Sequence, residues 1–240
     1  MRKIFLVKLL IIISLLSADV LFSQHSYQSG KVLYGVNFNK ELIKKVQKSI
    51  KNDNSYANKM ILKIYKTNQK IYAQDINFLE LQFESNKYIL KPIDIMIPEN
   101  SQSRFYLESD IYYSKLNNDV YLQQFENRGK TYLAPFNKNY DWKIKNKYKN
   151  ILGFRCRKAI LNIHNGNKVI AWFTPQIPVA FSPVKYYGLP GAILEITTPP
   201  RHIYAREIEF KDEVKIEKPT EGIKLTAEEY KQMMTRFKPD

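Results

Sequence analysis

Cysteine occurs once in the 240 residues, at Cys156, so no internal disulfide framework is available and stability must come from packing. Glycine is also scarce. Its eight residues include no phosphate-cradling loop, so nucleotide-binding motifs find no support. The three histidines, His25, His164 and His202, are isolated, with no pair at ligand spacing, and neither a metal site nor another cofactor is expected. No Gly-x-Ser-x-Gly elbow is present, which removes the common serine-hydrolase architecture. Acids are outnumbered, 23 against 38 Lys and Arg, for a net charge of +15. These cations are spread along the chain rather than gathered in one block, so nucleic acid is not expected as a partner. A bias toward Lys, Asn, Ile and Tyr, such as an AT-rich genome produces, accounts for the charge; attraction to an anionic envelope surface is the alternative.

The long apolar run lies at the N-terminus. Arg2, Lys3 and Lys8 precede Leu9 to Leu16, which only Ser14 interrupts, and the stretch ends in Leu21-Phe22-Ser23-Gln24. A charged start, an apolar middle and a small residue before a polar one make a cleavable signal peptide. The apolar run is shorter than the about 20 residues that span a bilayer. Cleavage is expected after Ser23, with residues 24–240 forming one domain that has no membrane span. No Cys follows the apolar run, so the product is expected in the periplasm or outside the cell without a lipid anchor.

Downstream, 44% hydrophobic and 13% aromatic residues argue for a packed core. Lys31 to Phe38 reads as a strand, and Asn39 as the N-cap of a helix carrying Leu42, Ile43, Val46 and Ile50. A second helical period runs from Tyr56 to Ile76. The period then becomes two, giving strands at Phe78–Phe83, Lys87–Ile93, Ile111–Lys115, Val120–Phe125 and Lys130–Ala134. Ile151–Ile163 and Lys168–Thr174 flank an Asn-Gly turn, and Ala192–Thr197 and Ile203–Phe210 follow. Thr226-Ala227-Glu228-Glu229 is a capping box opening a helix to Phe237. The fold class is therefore α+β, mainly antiparallel β: a curved sheet or half-open barrel with the N-terminal helices packed on it and a short C-terminal helix.

Trp172 to Pro200 concentrates the unusual residues. Pro175, Pro178 and Pro183 cannot donate ladder hydrogen bonds, which places this connection at a sheet edge or outside it. In Gly188-Leu189-Pro190-Gly191, the proline suits the second position of a turn and Gly191 the positive φ that a type II turn requires next. With Ala192-Ile193 this unit resembles the signature of the GLPGLI family of Bacteroidetes, with Ala where the name has Leu. The resemblance extends over Trp142-Lys143-Ile144, Gly153-Phe154-Arg155-Cys156-Arg157-Lys158-Ala159, Ala171-Trp172-Phe173-Thr174, Ile177-Pro178-Val179 and Pro183-Val184-Lys185-Tyr186-Tyr187. It implies a secreted or envelope protein and no particular activity, so no catalytic residue is carried over.

Cys156 shares a strand face with Leu152, Phe154 and Ile160, and a thiol among apolar neighbours is usually an inert small hydrophobe. Lys158 falls on that face unless the apolar side switches, as Ala159, Leu161 and Ile163 suggest; if inward it needs a carboxylate, for which Glu195 is a candidate. Asp110, Glu126 and Asp141 read as solvated surface. No catalytic set emerges. Aromatic residues line the strands at Tyr112, Tyr113, Tyr121, Phe125, Tyr132, Trp142, Trp172, Tyr186 and Tyr187. They fill the core or line a surface, and Trp172, Tyr186 and Tyr187 are the candidate binding residues. The functional expectation is a non-catalytic binding or accessory protein for a hydrophobic ligand, a peptide or an envelope protein. The alternatives are a hydrolase using Cys156 or these carboxylates, and a structural subunit of an envelope assembly.

Overall fold

The computed structural model describes residues 28–50, 55–72, 79–93, 110–115, 120–135, 140–163, 166–199 and 201–235. The leader, His25, His164 and the expected extensions of the helices to Ile76 and Phe237 lie outside these residues. The element order is β1 (Ser29–Phe38), α1 (Lys40–Ser49), α2 (Tyr56–Tyr72), β2 (Leu79–Glu84), β3 (Lys87–Pro92), β4 (Ile111–Lys115), β5 (Val120–Asn127), β6 (Lys130–Pro135), β7 (Lys143–Ile151), β8 (Phe154–Asn162), β9 (Lys168–Thr174), β10 (Ala192–Thr197), β11 (Arg201–Phe210), β12 (Ile223–Lys224) and α3 (Ala227–Thr235). All twelve strands form one sheet, ordered β12-β6-β5-β4-β3-β2-β1-β11-β10-β9-β8-β7. Two antiparallel meanders, β1 to β6 and β7 to β11, are thus joined where β11 pairs with β1. β12 adds in parallel to the outer edge of β6.

Chain connectivity forces this sheet to curl. Ten inter-strand steps separate β6 from β7, which in a flat sheet would be about 48 Å. Yet Pro135 and Lys143 are 143 − 135 = 8 residues apart, and such a chain reaches at most about 28 Å. The two ends of the sheet must therefore approach each other, and the inner face becomes concave. Alternation supplies that face with apolar side chains: Val32, Tyr34 and Val36 from β1, Leu79, Leu81 and Phe83 from β2, all essentially inaccessible to water.

The concave space is filled by the chain's own connection between β9 and β10. Ile177, Val179, Phe181, Val184, Tyr187 and Leu189 are buried in one cluster with both meanders. Phe181 packs on Phe83 at 4.9 Å, and Tyr187 stacks on Tyr121 of β5 at 4.0 Å between ring centres. The connection is tied to β10 by Ala192 N–H donating to the Ile177 carbonyl (3.3 Å) and Ile193 N–H to that of Phe181 (3.0 Å). The prolines do keep this segment out of the ladder, but it lies inside the curve rather than at an edge. Its apolar side chains outweigh its inability to pair.

Helix α1 begins where the sequence indicates, with the Asn39 side chain accepting from the N–H groups of Glu41 and Leu42. Asn39 also donates to the Thr198 carbonyl (2.9 Å), and Tyr65 of α2 meets Phe38 edge-on, so the helices sit at the end of β1. The capping box at Thr226 and Glu229 is formed, and α3 rests against β5 and β6. One expectation changes at 151–163: the strand there breaks at Leu152-Gly153, and an additional strand, β7, precedes it. β7 is exposed on both faces along most of its length, and its alternation sets Lys143, Lys145, Lys147 and Lys149 against Ile144, Asn146, Tyr148 and Asn150 rather than a polar face against an apolar one, so hydrophobic periodicity gives no sign of it.

Candidate functional site

Close to β4, β5 and the start of β7, a half-exposed rim collects tyrosines around one carboxylate. Asp110, immediately before β4, accepts hydrogen bonds from the Gln123 amide (2.5 Å) and the Tyr112 hydroxyl (3.3 Å). The Gln123 oxygen in turn accepts from the Tyr230 hydroxyl of α3 (2.8 Å). Burial pushes the Asp110 carboxyl above its ordinary range; the two hydrogen bonds and the nearby Lys185 ammonium oppose this without cancelling it. Tyr140 packs edge-on against Tyr186 (5.3 Å) and Tyr187 (5.7 Å), and the Lys185 ammonium lies 5.8 Å from the Tyr186 ring centre. Burial raises Tyr112, Tyr140, Tyr186 and Tyr230, keeping their hydroxyls neutral donors. Asp110 is therefore not the solvated surface acid expected from its position in the sequence. It is a partly desolvated carboxyl in an aromatic surround.

The Gly-Leu-Pro-Gly unit positions this rim. Trp142 donates its indole N–H to the Tyr187 carbonyl (2.8 Å), fixing the connection just before Gly188. Leu189 is buried, and Gly191 N–H donates back to the Leu189 carbonyl (2.9 Å), a γ-turn centred on Pro190 rather than the type II turn expected. The reason is that Ala192 N–H, which a type II turn would use, is engaged by Ile177. The expected positive φ at Gly191 is present, at 129°.

Trp172 stands apart from Tyr186 and Tyr187, at the cross-strand register position between Lys158 and Glu195. Lys149 lies 4.6 Å from the Trp172 ring centre and ion-pairs with Glu195 (2.5 Å), which also accepts from His202 Nε2 (3.3 Å). Burial would raise the Glu195 carboxyl, but the His202 hydrogen bond and the Lys149 ammonium hold it below the usual carboxylate range. Glu195 is thus the partner of Lys149, while Lys158 faces the tryptophan at 5.8 Å. The apolar side of β8 does switch: Cys156, Ala159 and Leu161 are buried, with Arg157 and Lys158 between them. Cys156 donates to the Phe154 carbonyl, and burial pushes its thiol up to about 11, more than Lys149 lowers it, so it stays protonated.

Among the predicted residues, Tyr112, Tyr121, Trp142, Tyr186 and Tyr187 converge near the rim. Phe125 and Tyr132 stack on each other beneath α3, and Tyr113 belongs to a small separate cluster with Ile89 and Ile216. Gln123, Tyr140, Lys185 and Tyr230 were not predicted as site residues, and Asp110 only as one of the carboxylates of the alternative hydrolase reading. They come from distant positions, and only the curl of the sheet brings them together. Among the described residues no group of His, Cys, Asp and Glu could hold a metal ion.

Residues 161–195 match a family model described as a protein of unknown function (Porph_ging). The match agrees with the Bacteroidetes resemblance and does not carry the GLPGLI name. No curated protein matches the sequence. Among solved structures the chain is similar to PNGF-II in two crystal forms, each with TM-score 0.55, at 15% and 14% identity. These alignments cover 87% of this chain and 33% of the PNGF-II chain, so the likeness concerns a third of that protein and its β-rich fold. No described helix is long and apolar enough to cross a membrane.

Proposed function

We propose that the protein is exported under the direction of residues 1–23 and acts as a non-catalytic binding or accessory protein in the cell envelope, gripping a peptide or protein partner at the tyrosine rim. One observation carries this reading: the Asp110 carboxyl, raised by burial, lies within a set of neutral tyrosine hydroxyls and half-exposed rings. Groups held in this way, at a cost in desolvation, are characteristic of recognition sites. A partner presenting an aromatic or apolar side chain beside a hydrogen-bonding group would be met by Tyr140, Tyr186 and the Asp110–Gln123 pair. A hydrophobic ligand inside the curved sheet is disfavoured, because residues 177–189 occupy that space.

The rival reading, an envelope hydrolase, draws support from the same raised carboxyl, since a general acid needs such a pKa. It draws none from Cys156. Native mass spectrometry on wild type and Tyr186→Ala isolated from envelope extract separates the readings. A bound peptide or protein present on wild type and lost from the variant supports binding. Protein that is empty in every preparation, or a peptide recovered cleaved by wild type and intact with Asp110→Asn, overturns it.

A further inference from the structure

Between Asp141 and Glu195 the sequence contains no acidic residue, yet it carries nine Lys and Arg. The fold gathers most of these at the β7–β8 hairpin, the last two strands of the sheet. The cations spread along the chain therefore include one concentrated, exposed group, which a scan for runs of like charge does not detect. Between Ile144 and Tyr148, β7 advances 148 − 144 = 4 residues while β8 moves 159 − 157 = 2, and this bulge turns Lys145 and Lys147 out to solvent. Arg155 lies over the Tyr148 ring at 4.1 Å. Lysines and a bulge on an edge strand are also a known guard against unwanted strand pairing. That explanation covers the charge and leaves the hairpin tip unexplained.

The tip is apolar and strained. Leu152 and Gly153 form a two-residue turn with φ values of 50° and 84°, the type I′ geometry that favours Asn-Gly. A leucine avoids this conformation, and here its side chain gains no burial from adopting it, being 45% exposed. Ile144 and Tyr148 are exposed to a similar degree, 38% and 45%, on the adjoining strand. The hairpin also projects past the ladder, since the last β8–β9 pair is Arg157 with Phe173. An apolar tip, flanking aromatic and aliphatic side chains, and a collar of lysines match the chemistry of the boundary between headgroups and acyl chains.

We infer that the β7–β8 hairpin docks on an anionic phospholipid surface, with Leu152 entering the acyl boundary and Lys143, Lys145 and Lys147 facing the phosphates. The binding is reversible and weakens as salt screens the lysines. Flotation with phosphatidylglycerol-containing vesicles and with pure phosphatidylcholine vesicles tests it, using wild type and variants that share one N-terminus. Wild type should float only with the anionic vesicles. Lys143→Gln/Lys145→Gln/Lys147→Gln should weaken partitioning roughly hundredfold, at about fivefold per lysine near the surface. Leu152→Asn should weaken it about tenfold. Because asparagine accepts positive φ, the Leu152→Asn variant should melt no lower than wild type, which separates lost insertion from lost folding. Equal flotation with neutral vesicles, or none with either, overturns the inference. So does a Leu152→Asn variant that binds as wild type, since the hairpin would then be a general polyanion site for acidic protein or nucleic acid.

Discussion

Replacing Gly191 with alanine tests whether the Gly-Leu-Pro-Gly unit is a structural corner. A Cβ built on Gly191 falls onto the Thr174 carbonyl oxygen and 2.8 Å from the Pro175 Cα. Both are backbone atoms, unable to rotate aside, and Thr174 is the register partner of Ala192 at the start of the β9–β10 pairing. The φ of 129° adds strain of about 1–3 kcal/mol for a residue with a side chain. Displacing the facing backbone adds about 1–3 kcal/mol more. The sum, about 2–6 kcal/mol, is a large share of the 5–15 kcal/mol that folds typically have. Gly188 supplies the control: its φ is 95°, but no atom of the described residues lies within 4 Å of the added Cβ. Gly188→Ala should therefore cost only the backbone part, about 1–2 kcal/mol. Urea denaturation of both variants, followed by the fluorescence of Trp142 and Trp172, gives the comparison. If Gly191→Ala is no more destabilising than Gly188→Ala, the close approach to Thr174 does not govern this corner and the reasoning fails.

Two buried tyrosines should respond to different degrees. Tyr34→Phe removes the donor to the Ile193 carbonyl (2.7 Å) and should cost about 1–2 kcal/mol, whereas Tyr88→Phe removes a buried hydroxyl that donates to no acceptor among the described residues and meets only the Ser182 backbone, and should cost less than Tyr34→Phe in the same melts. Asp110 has a folded pKa above its ordinary 3.8, so its contribution to stability is greatest below that pH and falls as pH rises through the folded pKa. Asp110→Asn, which keeps both accepted hydrogen bonds, should therefore be more stable than wild type at neutral pH and lose that advantage below pH 3.8; an unchanged difference across pH refutes the shift. Glu195 has the opposite sign: its depressed pKa stabilises the fold above 4.5 and the contribution disappears as pH falls through the folded value, so Glu195→Gln should flatten the acid limb of the stability curve. Cys156 should react with maleimide only after denaturation, and rapid labelling of native protein would return it to the list of nucleophiles.

Local signals in this sequence were sufficient for local structure. Asn39 and Thr226 cap helices with their own side chains, and alternation in Leu79–Glu84 marks a strand with one buried face, so each can be read without its neighbours. β7 could not be read in this way: its alternation of lysines with Ile144, Asn146, Tyr148 and Asn150 sets no apolar face against a polar one, and Leu152-Gly153 is a poor sequence signal for the turn it forms. The proline-rich connection was located correctly outside the ladder, but its burial depends on the curvature of the whole sheet, which no residue within it encodes. For the same reason Tyr186 and Tyr187 were identifiable as candidates while their partner Tyr140 was not. Trp172 was legible as unusual, yet its neighbours are Lys149 and Glu195, joined to it through pairings of β7 to β10.

Because residues 177–189 fill the concave face, binding must use the periphery of the sheet, and β7 connects the two peripheral features. Tyr140 of the rim precedes its first residue, Lys143, while Leu152 follows its last, Ile151. Eight strand steps separate those ends, about 27 Å when fully extended and less across the bulge. That separation applies to Leu152; Lys143, which faces the phosphates in the docked pose, lies three residues from Tyr140, so docking lays β7 along the bilayer with the rim at its edge. Leu152 itself is remote from the rim, so Leu152→Asn should leave partner retention there unchanged, and Tyr186→Ala should leave vesicle flotation unchanged. The double variant should show the sum of the two single effects within about 0.5 kcal/mol. A larger discrepancy would show that β7 transmits occupancy from one end to the other, and the hairpin and rim would then have to be treated as one site.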